Sequence, residues 1–295
     1  MHEIESIRSF NRTVTRRLGV LNERYLGRDR PLVESRLLFE IGPRGASVRE
    51  LRARLGLDSG FSSRLLRALE RKKLVKTEPA DSDGRIRIAR LTRAGLAELE
   101  RLNALSDDLA HSMLAPLRRD QALRLVSAMA DVDRLLRASS IEFTSADPRS
   151  ADAERCLQRY YGELAARFPG GFELRADDAP PAEEFAPPAG CMLVARLFGE
   201  PVACGGLRTL EAGVAEIKRM WVSPEVRGLG VGRRLLAELE RAAHGLSLRT
   251  VRLDTNGSLA EALSLYRASG YREIPRYNDN PYAQHWFEKT LSEVI

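Results

Sequence analysis

The run Arg227-Gly228-Leu229-Gly230-Val231-Gly232 constrains the fold of this chain more than any other stretch. It follows a strand-like segment, Glu216-Ile217-Lys218-Arg219-Met220-Trp221-Val222, and precedes an amphipathic helix carrying Leu235, Leu236 and Leu239. Strand, glycine turn and helix in that order belong to an α/β layer. Closely spaced glycines let backbone N–H groups turn toward one anion, and the helix that follows adds the positive end of its dipole. A pyrophosphate is the natural occupant. Two common phosphate motifs are excluded: no Gly-Lys-Ser/Thr follows, and the third glycine of the dinucleotide fingerprint is missing at its spacing. On these residues alone, a glycine-rich turn without a ligand stays open as the alternative.

The texture of the chain changes near Ser139-Ser140. Before it, amphipathic helical segments follow one another, with one β-like stretch near 74–92. After it come a strand at Ile141, a helix over about 150–168 and a proline-rich acidic loop around Asp177-Asp178. Strands then fit 191–197, 201–209 and 214–222, a helix 230–244, a strand 250–255, a helix 259–269, and strands 271–275 and 284–290. The expected division is 1–140 and 141–295. Charge divides in the same place. Residues 1–140 carry 28 Lys+Arg against 19 Asp+Glu, and residues 141–295 carry 19 against 22. The net charge of +6 is therefore a +9 half joined to a −3 half, which points to a polyanion partner for the first half only. No apolar run approaches the ~20 residues that span a bilayer, and the start has no signal-peptide core, so no membrane partner is expected. Three scattered cysteines form no CxxC pair, and a cytoplasmic location is the default. No His/Cys/Asp cluster has metal-ligand spacing, so no metal is expected.

In the basic half, Ser47-Val48-Arg49-Glu50 is a capping box that starts a helix ending near Leu55, with Gly56 in the turn. Asp58 caps a second helix over about 59–72. At about 100° per residue, Phe61, Leu65, Leu66 and Leu69 share one face, and Arg64, Arg67 and Arg71, with Ser63, take the opposite one. An arginine face on the second helix suits phosphates and guanine edges in a major groove, and it equally suits an ordinary solvated helix. A hairpin follows around Asp83-Gly84-Arg85, with Arg87 on its polar side. The block SVRELRARLGLDSGFSSRLLRALERKKLV, the Asp-Gly-Arg wing and ARLTRAG resemble the MarR family of winged helix-turn-helix regulators. That resemblance implies double-stranded DNA binding at a pseudo-palindromic operator. The implied contacts are Ser62, Ser63, Arg64, Arg67, Arg71, Arg85 and Arg87. It also implies a homodimer built on the terminal helices, where Phe10, Val14 and Leu18, then Leu96, Leu99, Leu102, Leu109 and Met113, then Leu125, Met129, Val132 and Leu136 form apolar stripes. For each stripe a monomer core is the other possibility.

In the second half, Arg-x-x-Gly-x-Gly between strand and helix, followed by LDTNGSLAEALSLYRASGYRE, resembles the GNAT superfamily of acyl-CoA N-acyltransferases. The resemblance implies that acetyl-CoA is the acyl donor. Its pyrophosphate would lie on the backbone amides of the run Arg227, Gly228, Leu229, Gly230, Val231, Gly232 and Arg233, and its pantetheine arm would pair with strand backbone around Met220, Trp221 and Val222. Asn256 is a candidate for holding that arm, or a turn residue. Tyr266 matches the superfamily's frequent general acid. Glu216 is the candidate base, through water, or a strand-end carboxylate. The segment from Arg276 to Trp286 is a candidate wall for the acceptor, with His285 and Trp286 read as sheet residues.

The expected fold is multidomain α+β, with a mostly helical winged helix-turn-helix unit before an α/β unit on a central mixed sheet. The expected function is a DNA-binding regulator fused to an N-acetyltransferase of a primary amine, whether a small amine, an amino acid or a protein lysine. Two rivals stand beside it. Either the second half only senses acyl-CoA or a metabolite, or the basic half only dimerises.

Overall fold

The computed structural model describes residues 2–20, 24–80, 84, 86–173 and 180–292. Asp83 and Arg85 of the expected wing tip, and the acidic Asp177-Asp178, lie outside the described residues. The chain forms two compact units, Met1–Ala130 and Asp131–Ile295. Helix α6 (Arg119–Ser139) runs through the division.

The first unit holds α1 (His2–Arg17), α2 (Leu32–Ile41), α3 (Val48–Leu55), α4 (Ser59–Arg71) and α5 (Arg93–Leu114). Its strands β1 (Ala46–Ser47), β2 (Val75–Pro79) and β3 (Arg87–Leu91) form an antiparallel sheet in the order β1-β3-β2. Local chemistry sets these bounds. Ser47 Oγ accepts from the Glu50 amide and the Glu50 carboxylate accepts from the Ser47 amide, both at 3.1 Å. Asp58 accepts from the Phe61 amide at 2.8 Å. Each such cap stabilises its helix by about 1 kcal/mol. Leu65, Leu66 and Leu69 of α4 are buried with Leu37, Leu38, Ile41 and Leu51, and a buried leucine contributes about 1.5–3 kcal/mol. A Cβ on Gly95 would stand 2.0 Å from the Leu74 carbonyl, so only glycine lets α5 start against β2. Leu99 and Leu102, expected on an apolar stripe, are buried in this unit, so the first half of α5 is core.

The second unit holds β4 (Ile141–Ala146), α7 (Ala151–Arg167), β5 (Gly190–Leu197), β6 (Glu200–Glu211), β7 (Val214–Val222), α8 (Val231–Gly245), β8 (Thr250–Thr255), α9 (Ala260–Ala268), β9 (Arg272–Ile274) and β10 (His285–Thr290). The strand order is β4-β5-β6-β7-β8-β10-β9, antiparallel throughout except between β7 and β8. Leu235, Leu236 and Leu239 of α8 pack on one face with Ile217, Leu253 and Phe287. Ala153 and Cys156 of α7 pack on the other with Met192, Val194, Cys204 and Trp221. Among the described residues no helix is long and apolar enough to cross a membrane, and no His/Cys/Asp/Glu group can hold a metal ion.

Strand β7 changes face part-way. Ala215 and Ile217 point toward α8, and so do Met220 and Val222, whereas Trp221 points toward α7. Arg219 accounts for the switch. It sits at φ 56°, and the pairing with β6 slips by one residue there. A bulge of this kind inverts the side-chain alternation beyond it.

Candidate functional site

Strands β7 and β8 share a ladder only from Val214↔Thr250 to Ile217↔Leu253. Beyond it β7 continues to Val222 and β8 to Thr255, and the two part. The edge of β7 that faces β8 is there without a strand partner among the described residues, a natural template for an extended chain. A cavity of about 390 Å³ opens at the parting. Lys218, Arg219 and Met220 line it from β7, Asp254 and Thr255 from β8, Tyr266 from α9, Tyr160 and Tyr161 from α7, and residues 278–283 close one side.

A charged network stands behind this wall. Glu216 has no solvent exposure. It accepts from Arg208 Nε at 2.7 Å, Tyr277 Oη at 2.8 Å and Asn278 Nδ2 at 3.1 Å, and Lys218 Nζ is 3.4 Å away. Arg208 also pairs with Glu184, and Lys218 with Asp254. Asn278 is oriented by Trp286, whose Nε1 can only donate and does so to Asn278 Oδ1 at 2.9 Å. The Asn278 amide nitrogen therefore turns to the carboxylates, bonding Asp254 Oδ2 at 2.6 Å as well as Glu216. Asn280 donates to Asp254 Oδ1 at 2.8 Å. Breaking one member of such a buried set costs about 3–5 kcal/mol because the remaining charge is stranded. Burial, and after it the negative charge of Glu216, raises the Tyr277 phenol.

Tyr266 is 6% exposed and reaches the cavity. Burial, then the Asp254 carboxylate, raises its pKa well above the ordinary 10.0, so it holds its proton at neutral pH. Next to the cavity, the glycine turn leads into α8. Gly228 and Gly230 stand at φ +76° and +75°, and a Cβ on either would meet nothing within 4 Å. Helices α3, α4, α5 and α7 each open with a side-chain cap, from Ser47, Asp58, Thr92 and Ser150. Helices α2 and α9 lack such a cap but carry an acid in the first turn, Glu34 and Glu261, whereas α8 opens on Gly230 with neither. Its first amides are left pointing outward, which is the geometry of an anion seat.

Residues 157–271 match the Acetyltransferase (GNAT) family. An IAA acetyltransferase of Azospirillum brasilense is 36% identical over 118 residues, covering 40% of this chain and 72% of that protein. The chain belongs to the GNAT acetyltransferase family. An N-acetyltransferase of Schizosaccharomyces pombe is 35% identical over 137 residues, covering 44% of this chain and 80% of its own length. A solved GNAT-family acetyltransferase from Staphylococcus aureus covers 52% of this chain and 99% of its own, at 18% identity and a TM-score of 0.45. Residues 28–86 match the MarR family, so a winged helix-turn-helix unit precedes the GNAT unit.

The GNAT unit is an acyl-CoA-dependent N-acetyltransferase with acetyl-CoA as donor, and the residues present fit that group. The seat of Gly228, Gly230 and the uncapped amides of Val231, Gly232 and Arg233 suits a pyrophosphate. The open edge of β7 suits an extended amide-bearing arm. Met220 and Val222 turn toward Gly232, where their side chains come within 4.0 and 3.7 Å of the place a Cβ would occupy. The expectation for Arg227 and Trp221 concerns their backbone, and their side chains are engaged elsewhere. The Arg227 guanidinium turns away from the seat to the Val222 carbonyl at 3.0 Å and Glu163 at 2.5 Å. Trp221 points its ring to the α7 side and donates to Glu163 at 2.9 Å. Burial would raise Glu163, but hydrogen bonds from Arg227, Trp221 and Arg167 prevail and hold it below the usual carboxylate range. Asn256 reaches the cavity, yet its amide donates to the Tyr282 carbonyl at 2.7 Å and accepts from the Ser258 amide at 2.9 Å, as a turn residue does. Glu216 is not on the cavity wall; Asp254, Lys218, Tyr160 and Tyr161 are, and the sequence had not singled them out. The Asp in LDTNGS, one residue past the strand's last apolar position, was the available sign.

In the MarR unit, Ser63, Arg64, Arg67 and Arg71 are exposed on one side of α4, and Arg87 is exposed on β3. Arg67 and Arg71 form no ion pair among the described residues, and Arg64 lies 5.7 Å from the Phe61 ring centroid. Ser62, expected with them, does not belong to that face. It is 1% exposed, because it falls on the side of α4 that packs inward. Arg85 lies outside the described residues.

Proposed function

We propose that the chain acetylates a primary amine in its second unit and binds duplex DNA through its first. The observation that carries the first part is the cavity at the parted strands, where an open strand edge, a free phenol and a carboxylate meet beside an anion seat. Bound there, acetyl-CoA supplies an activated acetyl thioester. The β7 edge aligns the pantetheine arm, and the uncapped amides of α8 hold the pyrophosphate. Tyr266 keeps its proton on Oη until the sulfur departs, then delivers it there, so the C–S bond breaks to a thiol as the N–C bond forms. Glu216, ringed by donors and sealed from the cavity, acts by positioning Lys218 and Asn278 around Asp254. The base role expected for Glu216 falls to Asp254, the carboxylate on the wall, which takes the ammonium proton directly or through water.

The arginine face of α4 supports DNA binding by the first unit. Ile4, Ile7 and Phe10 of α1 and Leu123, Val126, Met129, Leu135 and Leu136 of α6 are exposed, and neither helix has a buried residue. Two helices with such uncovered apolar faces support a homodimer, which would present two α4 helices to half-sites about one DNA turn apart. The test is acetyl-CoA consumption across a panel of amines, with and without duplex DNA, on the full chain. Binding of acetyl-CoA without turnover of any amine would leave only a sensor, and no duplex affinity at low salt would leave only an enzyme.

A further inference from the structure

The cavity has a second end that the transfer chemistry leaves unexplained. Five aromatic rings meet there in a continuous wall. Tyr160 and Tyr161 of α7 stand 5.3 Å apart by ring centroids. Tyr161 stacks on Phe172 at 5.7 Å with an interplanar angle of 14°. Phe172 lies 4.8 Å from Tyr282, and Phe168 is 5.9 Å from both. All five line the cavity, and Tyr160, Tyr161, Phe172 and Tyr282 are only half-buried. Rings placed for the core alone would be closed over, as Phe185 and Phe287 are.

The wall is held in place. The Tyr282 hydroxyl donates to the Glu173 carbonyl at 3.0 Å and accepts from the Glu173 amide at 3.1 Å. Its own backbone is fixed by Asn256 at the carbonyl and by Asn280 at the amide, at 2.7 and 3.1 Å. The segment after α7 and the segment before β10 are thereby strapped together around the rings. Asp254 lines the same cavity as the ring wall and Tyr266.

Resting on the acetyltransferase assignment, we infer that the acceptor is a primary amine carried on a planar aromatic body, an arylalkylamine. The rings of Tyr161, Phe172 and Tyr282 hold the aryl group by offset stacking and edge contacts. Asp254 meets the ammonium, which the neighbouring ring faces also favour. A polyamine has no planar surface to offer these rings.

The full-length protein is assayed for CoA release with phenethylamine, tryptamine, cadaverine and a short peptide with a free N-terminus, and acetyl-CoA binding is measured separately by calorimetry. The two arylalkylamines should give the highest kcat/KM. Phe172→Ala should raise the KM for phenethylamine about tenfold while leaving the KM for acetyl-CoA and the kcat/KM for cadaverine unchanged. Phe172→Leu, which keeps bulk and loses the ring, should show the same selective rise. If acetyl-CoA binds and cadaverine or the peptide is the better acceptor, the aryl assignment is overturned and the acetyltransferase stands. Equal loss for every amine in both variants overturns it too. Failure to bind acetyl-CoA at all removes the enzyme assignment beneath it.

Discussion

Replacing Gly230 by alanine separates strain in the glycine turn from its use as an anion seat. At φ +75° a non-glycine residue costs about 1–2 kcal/mol. For a unit of this size that is about 2–8 °C in melting temperature. The added Cβ meets no protein atom within 4 Å, so no internal clash adds to the strain. On the proposed reading that open space is where the anion on the α8 amides lies. A hydrogen bond to a charged group is worth about 1.5–3 kcal/mol, so displacing one should weaken acetyl-CoA binding roughly 10- to 100-fold. Gly213, at φ +78° with nothing within 4 Å of its Cβ, joins β6 to β7 and provides the control. Calorimetric titration with acetyl-CoA and thermal melts on both variants decide the matter. Both should melt earlier by a similar amount, and only Gly230→Ala should lose affinity. If the two bind acetyl-CoA equally well, the turn is not the seat.

Tyr266→Phe should lower kcat by about 10²-fold or more and leave acetyl-CoA affinity intact, since the ring stays and only the proton is lost. Unchanged turnover would remove Tyr266 from the transfer. Glu163 sits below its ordinary value of 4.5, so its contribution is complete above that pH and is lost as pH falls through the lower folded value. The melting temperature of Glu163→Gln should therefore fall less steeply than that of the parent on acidification below about pH 4.5; parallel curves would refute the assignment. Arg67→Ala and Arg71→Ala should each reduce the salt slope of duplex binding by about one, read by fluorescence anisotropy across a salt series. An unaltered slope would take that arginine off the phosphates.

What the sequence makes legible here is local. The capping box at Ser47, the Asp58 cap, the glycine turn and the alternation of β8 are each decided by residues a few positions apart, and helices and strands fall close to where they were expected. What the sequence leaves hidden depends on contacts between distant segments. Nothing near Arg227 in the sequence announces that Glu163, on a helix well upstream, holds its guanidinium. Glu216 reads as an accessible base until Arg208, Tyr277 and Asn278 close round it from other elements. The bulge at Arg219 carries no glycine or proline to announce it, and it decides which of Trp221 and Met220 faces the seat. Ser62 was an implied DNA contact, although its angular position on α4 places it inward. The aromatic wall was hidden for a related reason: Tyr161, Phe172 and Tyr282 look like unrelated residues until two loops bring them together.

The start of α8 has no side-chain cap, and on the proposed reading its partner is the acetyl donor rather than a group of the chain. Amides that no side chain bonds are the first to exchange with solvent, so those of Val231, Gly232 and Arg233 should exchange quickly in the free protein and slow sharply once acetyl-CoA is added. On that reading the donor completes a helix that the polypeptide leaves unfinished. The free energy of that completion rises with the logarithm of donor concentration, which makes the folding stability of the second unit a measure of how much acetyl-CoA surrounds it.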